Sequence, residues 1–411
     1  MSAIYETAFH FTDQRRCIGV RGLCTMGNGR DGRSAGGFAK RARYLPRRAQ
    51  RARKRDRHSA YVSLGADGPE YRAYAGTMGK DSAALVDAAT LFQIGSNTKG
   101  FTSALILALE AEGKVDIHDT VGDWLPEYPA WADVTIQQLL HMNSGLPTYS
   151  ETTEMNEAFV NTPERDFTLP ELIAMAYPSE TVNLPAEDGF FYSNTNYILA
   201  GMIAEKASGM SYKEALEEKL FKPAGLTDTY YEPYSYGEDV LSRMISGYFN
   251  NPDCTLYDPD CEVGQLVPII GRDTKADSVS WAGPAGGIVG TPEDLAKWIR
   301  AVFAGKVLPE KQLTELVTPI SLKTGKIIDD VTQEDPRAFT LGLMRVTGPG
   351  MEPVYFYLGM TLGYRAAFIY SPELDVMVTG ATNSQPPGGE EMMTPMLIGI
   401  YKKAVEEKAA Q

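Results

Sequence analysis

Apolar positions along this chain change their rhythm three times. From about Tyr61, "SAYVSLG" and "EYRAYAG" alternate apolar and polar residues around the turn "ADGP". That pattern predicts two paired strands. Next, Phe101, Ala104, Leu105, Leu107, Ala108 and Leu109 recur at helical spacing. The long middle keeps that spacing in "TIQQLLHM" (135–142), "TLPELIAMA" (168–176), "NYILAGMIAEKASG" (196–209) and "SYKEALEEKLFKPAG" (211–225). "TPERD" reads as a further helix entry. "TPEDLAKWIRAVFAG" (291–305) opens with a cap and a proline at the first helical position. The C-terminal part returns to short β-rich runs, "AFTLGLMRV", "VYFYLGM", "YRAAFIY" and "VMVTGAT", before a last helix from about Met392 to Glu407.

This order predicts an α/β chain of the α+β type. An antiparallel sheet of about five strands is built from both ends of the chain and flanked by helices, with a mostly helical subdomain inserted. The expected boundaries are an extension over 1–58, an α/β unit over 59–115 plus 285–411, and the helical insertion over 116–284. The chain has 411 residues, 43% of them hydrophobic, enough for a large core. No run of eighteen apolar residues occurs, so no membrane span is expected.

Charge is unevenly spread. Residues 1–58 carry fifteen basic and four acidic residues, a net +11, which leaves −25 for the rest of a chain whose net charge is −14. An acidic body argues against nucleic-acid binding. The head, "GRDGRSAGGFAKRARYLPRRAQRARKRDRH", shows no amphipathic period, and Pro46 breaks its best helical segment. It is read as a disordered extension or an out-of-frame translation rather than a binding arm. Cys17 and Cys24 lie in it. Cys254 and Cys261 flank "TLYDPD" in a polar loop, where a short disulfide and two free thiols both stay open. No Cys/His cluster has zinc spacing.

Ser96 and Lys99 stand three apart where the helix at Phe101 begins, so their side chains share a face. Ser96 could simply cap that helix, with Lys99 solvated. Alternatively, a lysine whose pKa is lowered by burial can take the serine proton and make a nucleophile. Such a base needs a proton relay and a group to hold it. "GFFYSNTNYILAG" offers Tyr192 and Asn194, two apart, on a turn before a helix. An oxyanion hole needs backbone N–H groups at close approach. "FYLGMTLGYRAAF" offers Gly359 and Gly363 around a strand turn.

Together these motifs resemble the penicillin-recognising serine hydrolases: class C β-lactamases, D-Ala-D-Ala carboxypeptidases, D-aminopeptidases and related esterases. Ser96-x-x-Lys99, Tyr192-Ser193-Asn194 and a glycine-bearing C-terminal strand occur in the family's order. "LLHMNSGLP" (139–147) and "AGPAGGIVGTPEDLAKW" (282–298) are similar to two further family stretches, and the resemblance covers about residues 60–407. It implies Ser96 as nucleophile, Lys99 as its base, Tyr192 as proton shuttle, and Asn194 as holder of Lys99 and the substrate amide. It also implies an acyl-enzyme, no metal and no cofactor. The substrate would be a small molecule or short peptide and the protein a monomer or homodimer. Relatives are often periplasmic, but Glu6, Asp13 and the missing apolar run at the N-terminus do not read as a secretory signal. Periplasm and cytoplasm both stay open.

The third motif departs from the family pattern, Lys-Thr-Gly or His-x-Gly six residues before the hairpin glycine. Six residues before Gly363 this chain reads Tyr357-Leu358-Gly359, which makes Met360 the expected oxyanion donor and Tyr357, Gly359 and Met360 substrate-binding. The literal Lys323-Thr324-Gly325 is read as a decoy, Arg365 as a partial substitute for the missing cation, and His141 as structural. Losing the cation weakens recognition of a substrate carboxylate. The expected activity is therefore an amidase or peptidase for small peptides with D- or non-protein residues, linearised cyclic peptides among them. A short-chain esterase or β-lactamase comes next, and an inactive peptide-binding homologue is the alternative of another class.

Overall fold

The computed structural model describes residues 57–177, 189–232, 234–249, 266–384 and 392–410. The basic head up to residue 56 and all four cysteines lie outside the described residues.

Strands β1 (His58–Ser63) and β2 (Glu70–Ala75) form the expected N-terminal hairpin. Short strands β3 (Phe92–Gln93), β4 (Thr229–Tyr231) and β5 (Ile288–Gly290) make a separate small sheet in the order β3-β5-β4. The C-terminal strands are β6 (Ile320–Ser321), β7 (Arg337–Phe339), β8 (Met344–Gly348), β9 (Met351–Met360), β10 (Arg365–Ser371) and β11 (Val376–Thr382). β1 pairs antiparallel with β11, with Ala60 opposite Gly380, and so closes N- and C-terminal strands into one sheet. Its order is β2-β1-β11-β10-β9-β8-β7-β6. The described residues thus give eight strands where about five were expected. "AFTLGLMRV" splits at a tight turn into β7 and β8, and β6, two residues long, is too short to show alternation.

The main helices are α1 (Thr98–Ala111), α2 (Asn194–Ser208), α3 (Pro292–Phe303), α4 (Glu310–Val317) and α5 (Met393–Ala409). Adjacent residues of β11 point to opposite faces. Thr379 donates to the Pro292 carbonyl of α3, while a side chain at Gly380 would touch Leu397 and Met393 of α5. Helices therefore cover both faces, which is why β10 and β11 are buried throughout. The tight turn Gly95–Asn97 just ahead of α1 rests on β9 and β10, and the body of α1 packs among α2, α4 and the turn Gly283–Gly286.

Local signals explain most helix ends. Thr291 caps α3 by accepting from the Asp294 N–H, and Gly209 ends α2 at φ 69°. "TPERD" is corrected. It is the exit of the helix Thr153–Asn161, whose cap is Thr152. Pro163 lacks the N–H that a continuing helix needs.

Candidate active site

Ser96 sits in a single tight turn, Gly95–Asn97, just ahead of α1. Its side chain makes no capping bond to the helix, so the simple cap reading fails. Its Oγ lies 2.8 Å from the Tyr192 hydroxyl, and Lys99 Nζ donates to it at 3.1 Å. Lys99 Nζ donates also to Asn194 Oδ1 at 2.8 Å and to the Ala285 carbonyl at 2.7 Å. Asn194 is held in turn by donating to Ser150 Oγ at 2.8 Å. Lys99 has no exposed surface. The four residues expected from the two motifs therefore meet at one point.

The turn is fixed by close backbone packing. Gly95 adopts φ +52°, and a Cβ there would stand 2.5 Å from the Met360 nitrogen. A Cβ on Gly359 would stand 1.9 Å from the Ile94 carbonyl oxygen. Asn97 Nδ2 donates to the Ile94 carbonyl at 2.8 Å and to the Ala366 carbonyl of β10 at 2.9 Å, tying the turn to the sheet. Thr361 N–H donates to the Tyr364 carbonyl at 3.1 Å, so these two form the hydrogen-bonded pair of the hairpin. One residue earlier, the Met360 N–H turns away from β10, as ladder alternation requires. It is thus free of β10 beside the Ser96 turn.

Ionisation follows from burial and charge. Burial pushes the Lys99 amine below its ordinary value. Burial alone would raise the Tyr192 phenol. The charge of Lys99 and the hydrogen bond with Ser96 Oγ outweigh it, and the phenol ends below its ordinary value. The pair holds its protons weakly.

Ser96, Asn194 and Met360 open onto a narrow cleft. Tyr149 and Trp281 give it aromatic surface, and Ala282, Ala285 and Gly286 keep another part small. Lys99, Tyr192, Tyr357 and Gly359 stand behind this lining. Ser150, Tyr149, Trp281 and the Ala285 carbonyl are parts that sequence reading missed. Tyr149 and Ser150 come just after the "LLHMNSGLP" stretch, beyond Thr148, and that stretch is the signal that pointed near them.

The other named residues have separate places. Lys323 is exposed on the turn that follows β6, and it does not line the cleft. Arg365 is buried, with its guanidinium donating to the Thr361 and Tyr364 carbonyls at 2.7 and 2.9 Å. It braces the hairpin and does not enter the cleft. His141 is buried, bonded through Nε2 to the Thr318 carbonyl at 3.1 Å, and pushed down by burial to about 4. That is a structural histidine.

A sequence model of the beta-lactamase family matches residues 45–401. Penicillin-binding protein 4* of Bacillus subtilis is 28% identical over 242 residues, which cover 58% of this chain and 51% of that protein. The chain thus spans about half the length of that relative. Among solved structures, a D-stereospecific amidohydrolase from Streptomyces aligns with TM-score 0.67 at 24% identity, covering 85% of this chain and 92% of the other. The D-amino acid amidase of Ochrobactrum anthropi with D-phenylalanine aligns with TM-score 0.70 at 22% identity, covering 88% and 96%. At these identities the likeness is one of fold. With most of its length matched by the family model, the chain belongs to the beta-lactamase family of serine hydrolases.

Proposed function

We propose that this protein cleaves amide bonds of small, unusual peptides or amino-acid amides, with D- or non-protein residues, through an acyl-enzyme on Ser96. One observation carries the reading: Lys99 is completely buried, yet it points its amine at Ser96 Oγ, whose other partner is Tyr192. A surface lysine beside a helix cap would be solvated.

In this reading Lys99 serves as the base for Ser96, and Tyr192 passes the proton to the leaving nitrogen. The Ser96 and Met360 N–H groups receive the oxyanion. Asn194 fixes Lys99 and takes the substrate amide. The cleft lining carries no charged side chain among the described residues. With no cation there to hold a substrate carboxylate, this favours an acyl part that lacks one. The two amidases that share the fold lend support to amide substrates.

An esterase for short acyl groups is the second reading, favoured by the same uncharged lining. A panel of D-Ala-p-nitroanilide, p-nitrophenyl butyrate and nitrocefin separates the readings. Turnover of the anilide, lost in Ser96→Ala, supports the amidase. Turnover of the butyrate alone moves the assignment to esterase. No labelling of the wild type by a fluorophosphonate probe would leave a binding protein only.

A further inference from the structure

A second groove opens behind one wall of the Ser96 cleft. Trp281 and Ala282 line the cleft, their neighbour Ser280 lines the groove, and the two openings share no lining residue. Phe167, Met202 and Tyr212, all buried, give the groove apolar surface. Tyr234, 48% exposed, stands on its open side.

Two polar groups in this groove lack the partners their chemistry calls for. The first is Tyr231, which ends β4 and is only 4% exposed. Its ring meets that of Tyr212 edge to face at 4.9 Å. Among the described residues its hydroxyl makes no hydrogen bond. Buried hydroxyls normally have one. Tyr212, Glu205 and Tyr234 act on this phenol electrostatically, and all three line the groove. Burial and these neighbours push it well above its ordinary value, so it keeps a hydrogen to donate.

The second is Glu205, half-buried on α2. Oε1 accepts from the Tyr212 N–H at 2.9 Å, and among the described residues the carboxylate has no ion pair. The two lysines of the groove are engaged elsewhere. Lys206 donates to the Trp124 carbonyl at 2.9 Å and to Glu127 at 3.2 Å, and Lys213 donates to Glu232 at 2.8 Å. A negative charge without its cation thus stands beside tyrosine rings, and both attract an organic cation.

We propose that this groove is a second, non-catalytic binding site for a small organic ammonium that carries an apolar side chain and a neutral oxygen acceptor. The ammonium pairs with Glu205, the acceptor takes the Tyr231 hydrogen, and the side chain covers Phe167 and Met202. A carboxylate beside the ammonium is disfavoured, because Glu205 repels it. No bond is made or broken there. The assignment goes beyond the reading of Ser96 and does not rest on it.

The probe is phenylalaninol, which has an ammonium, a hydroxyl and a benzyl group but no carbonyl for Ser96 to attack. Calorimetric titration into the full chain should show one saturable site. Glu205→Gln keeps an oxygen for the Tyr212 N–H and loses the charge, and should weaken binding about tenfold or more. Tyr231→Phe should weaken it about three- to tenfold. Both variants should melt near wild type and keep its rate of fluorophosphonate labelling. N-acetylphenylalaninol, without the cation, and phenylalanine, with a carboxylate, should each bind more weakly than phenylalaninol. Capping Ser96 with the fluorophosphonate should leave binding unchanged. No saturable binding in the millimolar range overturns the proposal, as does binding that both variants retain in full. Binding lost on capping also overturns it and places the probe in the Ser96 cleft. Should Tyr231→Phe fail to fold, Glu205→Gln decides alone. A wild type that the fluorophosphonate does not label strikes the Ser96 reading instead, and the two variants still judge the groove.

Discussion

Gly95 and Met360 meet backbone to backbone: a Cβ on Gly95 would stand 2.5 Å from the Met360 nitrogen and 2.7 Å from its oxygen. The Ser96 turn and the strand that bears Met360, the proposed second oxyanion donor, therefore share one fixed spacing. Gly95→Ala should break it twice over, through φ +52° and through contact with backbone that cannot move aside. We expect a stability loss of about 2 kcal/mol or more and acylation slowed by on the order of 10². Urea melts and labelling rates check both. Normal labelling would show that this contact does not set the site.

Ser96→Ala and Lys99→Ala should each remove nearly all turnover, and the double variant should be no worse than either, because such groups act as a unit. Tyr192→Phe should cost on the order of 10² or more. Steady-state kinetics on any substrate the panel reveals measures this. Additive losses in the double variant would contradict a single shared machinery.

Lys323→Ala should change kcat/KM by less than about twofold, as exposed substitutions away from a site usually do. The residue belongs to a literal Lys-Thr-Gly, but that stretch is an exposed turn after β6. Damage comparable to that of Lys99→Ala would move the third motif from 357–359 to 323–325.

His141 predicts a pH effect on stability. Its folded pKa, about 4, lies below the ordinary 6.5 because the ring is buried. The unfolded chain therefore binds a proton more readily, and stability falls as pH drops from 6.5 toward 4. The full loss is about 3 kcal/mol. His141→Gln should flatten that part of the curve. Denaturant melts between pH 4 and 8 decide it, and an unchanged slope in the variant refutes the assignment.

The residues that sequence made legible are those that act through local spacing. Ser96 and Lys99 are one turn apart, and Tyr192 and Asn194 lie on one short turn, so each pair carries its own geometry. What stayed hidden depends on distant chain segments. The Ala285 carbonyl that holds Lys99 is backbone, and any residue type supplies one. Ser150, Tyr149 and Trp281 reach the site from loops without a period. In the fold, β10 and β11 read as strands because they are long and apolar. β6 and the small sheet are two or three residues per strand, below the length at which alternation shows. The helix Thr153–Asn161 was displaced in the reading by the proline that ends it.

The three partners of the Lys99 amine can be counted in hydrogens. A protonated amine has three N–H donors, and Ser96 Oγ, Asn194 Oδ1 and the Ala285 oxygen take all three. A neutral amine has only two and offers a lone pair in place of the third. Amide and peptide oxygens have no hydrogen to give back. Of the three contacts, only the one to Ser96 can reverse direction. Loss of a proton from Lys99 therefore turns the serine hydroxyl toward the amine, and the charge state of one buried residue is written in the orientation of one O–H bond.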